Sequence, residues 1–287
     1  KSSTTWIDAD TLYVGTDFGP GSLTDSGYPR VIKRWKRGTP LASADTVFEG
    51  EAQDVSASVW LDLTPGHERT IFSRSLDFYH QQHVLMEGDR KVAFDIPSDA
   101  SFSFWNHCAD AIDTLLIELR SDWQAGASTY ASGSLLATDT AAYLAGERRF
   151  DILFQPTATR SLAGFSTTRD HVIVNVLDNV ASRLDLWRRT AAGFEARPID
   201  APFPGTLSVR SLHDPMQADD PLAECYLLGY TDFLTPDSLF LGHTEPQPGG
   251  PALEPLKARP ALFDAEGLRT EQRFATSKDG TRVPYFV

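Results

Sequence analysis

His171-Val-Ile-Val-Asn-Val176 is an apolar strand that runs straight into a turn, and the rest of the chain repeats it. Equivalent stretches are Leu12-Tyr-Val-Gly15, Arg69-Thr-Ile-Phe72, Thr114-Leu-Leu-Ile-Glu118 and Glu224-Cys-Tyr-Leu-Leu-Gly229. They are spaced about 45 to 57 residues apart, the length of one four-stranded propeller blade with variable loops. Amphipathic helical patterns are scarce. The composition (41% hydrophobic, 23% charged) is that of an ordinary globular chain of 287 residues. The pattern predicts an all-β fold, a β-propeller with about five blades present.

The strands between these landmarks complete the blades. Val55 to Leu63, Thr70 to Leu76, His83 to Glu87 and Lys91 to Ile96 form one set. Ser101 to Asn106, Thr114 to Leu119, Ser132 to Ala137 and Phe150 to Phe154 form the next. Leu162 to Thr167, His171 to Leu177, Arg183 to Arg188 and Phe194 to Ile199 form a third. Thr206 to Ser211, Glu224 to Thr231, Ser238 to Gly242 and Leu256 to Ala258 form a fourth. Leu12 to Thr16, Val31 to Trp35 and Thr46 to Phe48 read as an earlier, incomplete blade. A twisted sheet has two faces to bury, and radial stacking buries both. Charged strands such as Arg183-Leu-Asp-Leu-Trp-Arg-Arg189 suit blade edges, where charge discourages edge-to-edge pairing. Five blades form either an open arc or a smaller closed ring in which the C-terminal hairpin completes the first blade. Closure is the preferred expectation, because open apolar end faces are liabilities.

The C-terminal stretch Leu268-Arg-Thr-Glu-Gln-Arg-Phe-Ala-Thr-Ser-Lys-Asp-Gly-Thr-Arg-Val-Pro-Tyr-Phe-Val287 reads as a hairpin. Lys278-Asp279-Gly280 supplies the tight turn, and the second strand is expected to run inward. Thr276 to Phe286 resembles the junction where the prolyl oligopeptidase family passes from propeller to α/β-hydrolase domain, with Ala258 to Asp264 as linker. Val14 to Arg30, followed by Lys33 to Gly38, is similar to an early propeller blade of bacterial members. More propeller usually precedes this point in that family. The resemblance implies a propeller over 1–265, and a linker and first hairpin of a hydrolase domain over 266–287. It further implies a non-catalytic propeller that limits access to short peptides. The partner is the α/β-hydrolase domain of the same parent, a serine peptidase whose triad lies beyond residue 287. This chain alone is expected to be inactive. The alternative is a stand-alone propeller serving as a protein-interaction scaffold.

No residue is assigned a catalytic, cofactor-binding or metal-binding role. A Gly-x-Ser-x-Gly elbow, which lifts a nucleophile and opens the backbone to an oxyanion, does not occur. Gly126-Ala-Ser-Thr129 and Ser132-Gly-Ser134 read as turns. Gly15-Thr-Asp-Phe-Gly-Pro-Gly-Ser22 lacks the Gly-Lys-Ser/Thr ending of a phosphate cradle. Thr24 stands where a dinucleotide pattern needs glycine, and Pro20 removes a donor, so a long inter-strand loop is expected. His80 and His83 are three apart, which on a strand means opposite faces rather than a metal pair. Asp214, Asp219, Asp220 and Glu224 lack calcium-loop spacing and read as a solvated loop. Arg30, Lys33, Arg34, Lys36 and Arg37 around Trp35 read as a charged outer strand after Val31-Ile32. Cys108 and Cys225 read as buried free thiols.

The net charge of −13 argues against a nucleic-acid partner. No stretch approaches the apolar length that crosses a bilayer, so no membrane partner is expected. Lys1 to Trp6 lacks the apolar core of a signal peptide. The compartment stays open between cytoplasm and periplasm.

Overall fold

Short runs rich in β-branched and aromatic residues, each closed by a turn, leave almost every segment one choice: to pair with its sequence neighbour. The computed structural model describes residues 1–88, 90–106, 113–190, 193–200, 205–245 and 253–287. Its contacts divide the chain into two units, Lys1–Ser101 and Phe102–Val287.

The first unit holds two antiparallel sheets. One runs β1 (Ser3–Trp6), β2 (Thr11–Gly15), β3 (Val31–Lys36) and β4 (Asp45–Glu49), in that order. The other runs β5 (Ser56–Asp62), β6 (Arg69–Ser75), β7 (Gln81–Glu87) and β8 (Arg90–Phe94). Ile32 and Phe48 pack on Ala57 and Phe72. The Phe48 and Phe72 rings stack at 4.9 Å, with Tyr13 edge-on to Phe72 at 5.5 Å. The first sheet therefore has four strands, not the incomplete set read from sequence. The overlooked strand, Ser-Thr-Thr-Trp, is mostly exposed and carries no apolar alternation. Its register with β2 identifies it (Thr4 opposite Val14, Trp6 opposite Leu12).

The second unit begins with β9 (Ser101–Asn106), which starts at the boundary residue, and β10 (Asp113–Glu118). A small hairpin, β11 (Trp123–Ala125) and β12 (Ser128–Tyr130), precedes β13 (Leu135–Asp139). Helix α1 (Thr140–Leu144), whose N-cap Asp139 accepts from the Ala142 N–H, leads to β14 (Asp151–Phe154). These strands form the sheet β14-β13-β10-β9. The next sheet is β15 (Arg160–Thr167), β16 (His171–Asp178), β17 (Ala181–Thr190) and β18 (Gly193–Ile199). The last is β19 (Thr206–Ser211), β20 (Cys225–Thr231), β21 (Ser238–His243) and β22 (Leu253–Ala258). Among the described residues, β23 (Gln272–Thr276) and β24 (Arg282–Phe286) pair only with each other.

The recurrent apolar stretches are the second strands of the five sheets: β2, β6, β10, β16 and β20. β16 shows why they are apolar throughout. Val172, Val174 and Val176 pack toward Trp105, Leu116, Leu135 and Phe154. Ile173, on the other face, packs toward Leu207, Tyr226 and Leu228. A strand sandwiched between two sheets has no solvent face, so polar alternation disappears. Each such side chain contributes about 1.5–3 kcal/mol by burial.

Two expectations about charged strands are corrected. Arg183 to Arg189 lies on β17, an inner strand between β16 and β18. Leu184 and Leu186 point into the core while the long cationic side chains reach the periphery. There Arg189 donates to the Thr114 hydroxyl at 2.9 Å and Arg183 pairs with Asp178. The basic run from Arg30 to Arg37 likewise centres on inner strand β3. The outer strands guard themselves differently: β18 carries Pro198, and β22 carries Pro255 beside a bulge. The hairpin does not complete the first sheet. Nor does β24 turn inward; it is largely exposed, with Pro284 and Phe286 half-covered.

Candidate functional site

In an antiparallel meander the turn after the second strand and the exit from the fourth lie at the same end of the sheet. In the last two sheets of the second unit, this end gathers the β16–β17 turn, the β20–β21 loop and the terminal hairpin. The β16–β17 turn is only Asn179-Val180, closed by Asp178 opposite Ala181. Both residues have positive φ (49° and 65°), the geometry of a type I′ hairpin. Asn tolerates this; a β-branched valine does not, at a cost of about 1–3 kcal/mol. Val180 nevertheless projects its side chain half into solvent, 55% exposed, at the mouth of a cavity.

That cavity, about 260 Å³, is lined by Val180, Gly205, Thr206, Thr231, Asp232, Phe233 and Phe286. The hairpin closes one side of it. Phe286 meets Phe233 with ring centroids 5.8 Å apart. The Gln272 side-chain amide donates to the Asn179 carbonyl. Gly205 is required where it stands, because a Cβ there would lie 2.2 Å from the Tyr230 ring. Behind the cavity the Tyr230 hydroxyl donates to Asp232, which also accepts from the Leu234 N–H at 2.8 Å and from the Thr235 N–H. Burial, then the Asp232 carboxylate, pushes the Tyr230 phenol far up. Burial would raise Asp232, but Tyr230 and the two N–H groups hold it below the usual carboxylate range. The pair thus stays a neutral donor on an ionised acceptor and fixes the loop that presents Phe233.

A second cleft, about 460 Å³, opens on a face of the last sheet and shares Thr206 and Thr231 with the first. Lys257 and Arg259 flank it, and Arg259 pairs with Asp237 at 3.3 Å.

The structure disperses the other groups singled out in the sequence. His80 caps its own turn through Asp77, while His83 is buried against the Ser73 hydroxyl at 2.8 Å, with its imidazole pKa lowered by desolvation. Among the described residues, no cluster of three or more His, Cys, Asp or Glu could hold a metal ion. The Gly15–Ser22 stretch opens the loop between β2 and β3. Asp17 caps it by accepting from the Gly19 N–H, and Arg30 stitches it by donating to the Gly21 carbonyl. Arg34 pairs with Asp45, Arg37 with Asp10, and Lys33 sits over the Phe18 ring. Cys225 is buried beside His243, and desolvation raises its thiol pKa. Cys108 lies outside the described residues. Gly126 and Gly133 occupy turns with positive φ.

The acidic run is not the solvated loop expected. Asp219 is exposed, but Asp220 is buried, accepts from the Asp214 and Leu222 N–H groups, and faces His213 at 3.2 Å. Glu224 is the hub of a buried network. It accepts from the Asp170 N–H (2.7 Å), His171 Nδ1 (2.7 Å), the Thr168 hydroxyl (3.0 Å) and the Thr244 hydroxyl. It ties the turn before β16 to the last sheet. Burial alone would raise its pKa; these donors bring it below the ordinary value.

No sequence signal announced the Gln272–Asn179 and Phe233–Phe286 contacts. The first pair is 93 positions apart in the chain.

Meandering four-stranded sheets stacked face to face define a β-propeller fold. No family model matches the chain. It is 33% identical, over all of its length, to an uncharacterized peptidase of Sinorhizobium fredii. Among solved structures, the post-proline cleaving enzyme of Rickettsia typhi superposes with a TM-score of 0.76 over 99% of the chain, at 24% identity. Prolyl oligopeptidase B of Galerina marginata does so at 0.64 over 99% and 14% identity. The chain's likeness to prolyl oligopeptidases thus runs from end to end, and its fold is that of their propeller portion. The chain spans only 39%, 40% and 38% of these three proteins.

Proposed function

We propose that this chain is the non-catalytic propeller portion of a prolyl-oligopeptidase-like serine peptidase. Its role is to restrict short peptides on their way to a hydrolase active site supplied by the rest of the protein. The observation that carries this reading is the whole-chain match to a named peptidase and to proline-specific enzymes of which it covers about two fifths. The docked hairpin supports it, because it offers a ready joint to a following domain. In such an enzyme the bond-breaking machinery is a serine nucleophile with a histidine base and an acidic partner. The propeller contributes exclusion and positioning. Proline-containing peptides are the expected substrates of the full-length protein.

Two measurements test this. The coding sequence past Val287 should contain a Gly-x-Ser-x-Gly element followed by Asp and His. A stop codon there would instead favour an interaction scaffold. The full-length protein should cleave a proline-containing chromogenic peptide, whereas residues 1–287 alone should not.

A further inference from the structure

Two aspartates close to the cavity at the β20–β21 loop have basic partners, and the one that lines it has none. Asp178, beside the β16–β17 turn, is met by Arg183 at 3.4 Å and Arg160 at 4.0 Å. Asp237, past the β20–β21 loop, is met by Arg259 at 3.3 Å. Asp232 lines the cavity itself and has only neutral donors: the Tyr230 hydroxyl and the Leu234 and Thr235 N–H groups. Among the described residues, no basic side chain pairs with it. Burial pushes this carboxyl up, but those donors outweigh it and keep the group ionised. A half-buried carboxylate that stays charged without a counter-cation leaves an attraction unused.

The walls beside it are apolar and open. Phe233 is 69% exposed, and the Phe233 and Phe286 rings stand 5.8 Å apart at 46°. A cation within about 6 Å of such a ring is attracted by its face. At about 260 Å³ the cavity is smaller than the roughly 300–1,000 Å³ of sites that take a drug-sized ligand, so it suits one side chain or one chain end. The chain also shows what an Asp-Phe turn of this kind can accept. After β2, Asp17 caps its loop through the Gly19 N–H, and Lys33 Nζ sits 4.7 Å over the ring of the adjacent Phe18. That turn receives an ammonium group from the chain itself; the Asp232-Phe233 turn receives none.

We propose that Asp232, Phe233 and Phe286 form a subsite for an ammonium group of the peptide substrate, carried on a lysine side chain or on a free N-terminus. Asp232 supplies the counter-charge, the two rings take the aliphatic stem and the face of the cation, and Val180 narrows the entrance. The inference rests on the functional reading above and adds to it a preference for cationic peptides.

The test compares three sets of chromogenic peptides on the full-length protein. The first is acetylated and carries one lysine, stepped through the positions before proline. The second has norleucine in place of the lysine. The third is the norleucine set with a free amine. A KM about five- to tenfold lower for a lysine peptide than for its acetylated norleucine counterpart assigns the subsite to a side chain. The same advantage for the free amine assigns it to the chain end. In either case Asp232→Asn should shrink the advantage to less than about twofold. Val180→Lys should do the same by bringing an ammonium group of the chain's own to the cavity mouth, and it stands as the check if Asp232→Asn unfolds the loop. No advantage in either arm, or one that survives in a folded variant, overturns the subsite. If the protein cleaves no peptide of any set, the functional reading fails and the subsite with it; if it cleaves all sets with equal KM, only the subsite fails.

Discussion

Removing the Glu224 carboxylate should cost the second unit more than most single core truncations. Four donors converge on it: the Asp170 N–H, His171 Nδ1 and the Thr168 and Thr244 hydroxyls. The side chain is only 17% exposed and His171 only 3%. Glu224→Ala leaves these donors facing a void. An unmet buried donor costs about 1–3 kcal/mol, and breaking a buried charged network about 3–5 kcal/mol in total. For a unit of this size that is a fall in Tm of roughly 10 °C. Thermal and urea unfolding followed by circular dichroism at pH 7.5 would measure it. Glu224→Gln keeps the shape and removes the charge, so it isolates the proton-linked part. The donors depress the folded pKa below the reference value of 4.5, overcoming the upward push of burial. The stabilisation is therefore fully present above that value and lost as pH falls through the folded pKa. The stability gap between wild type and Glu224→Gln should be flat from pH 7.5 to about 5 and narrow below about 4.5. A loss under about 1 kcal/mol for Glu224→Ala, or a gap that widens in acid, would refute the network as the link between these sheets.

Other outcomes follow from the same geometry. Val180→Gly converts the β16–β17 turn to Asn-Gly and should stabilise by about 0.5–1 kcal/mol, since relief of positive-φ strain outweighs the added freedom of the unfolded chain; denaturant midpoints would show it. Asp54→Ala should destabilise the first unit by about 2–4 kcal/mol. It strips the Arg74 guanidinium of two bonds (2.7 and 3.1 Å) and the Glu51 N–H of one, read as a lowered urea midpoint. Phe286→Ala removes a ring contact worth about 0.5–1.5 kcal/mol and should speed proteolysis of the 259–270 linker in proportion. Gln272→Ala should act in the same direction, and an unchanged cleavage rate in both would show that the hairpin is not docked through these contacts.

Much of the fold was legible because blades are local. Each strand pairs with its sequence neighbour, so alternation, turn residues and the fully apolar second strands suffice to count sheets. Legibility failed where the strand signal is weak or local signals compete. Ser3 to Trp6 has no apolar face. The β11–β12 hairpin is too short for periodicity, and α1 occupies a single turn capped by Asp139. The candidate site was scarcely legible, since its contacts join positions far apart and Val180 violates its own backbone preference.

The amino-acid sequence by itself determined the repeat, the antiparallel pairing and the absence of a nucleophile elbow. These depend on residue type and on spacing within about fifty positions. Only the tertiary structure decided which charged strands lie inside their sheets, which carboxylates are buried, and where the hairpin docks. Burial and pairing of a charge depend on what arrives from elsewhere in the chain. Glu224 shows this: in sequence it belongs to an acidic run, and it becomes a hub only when His171 and Thr244 are brought to it.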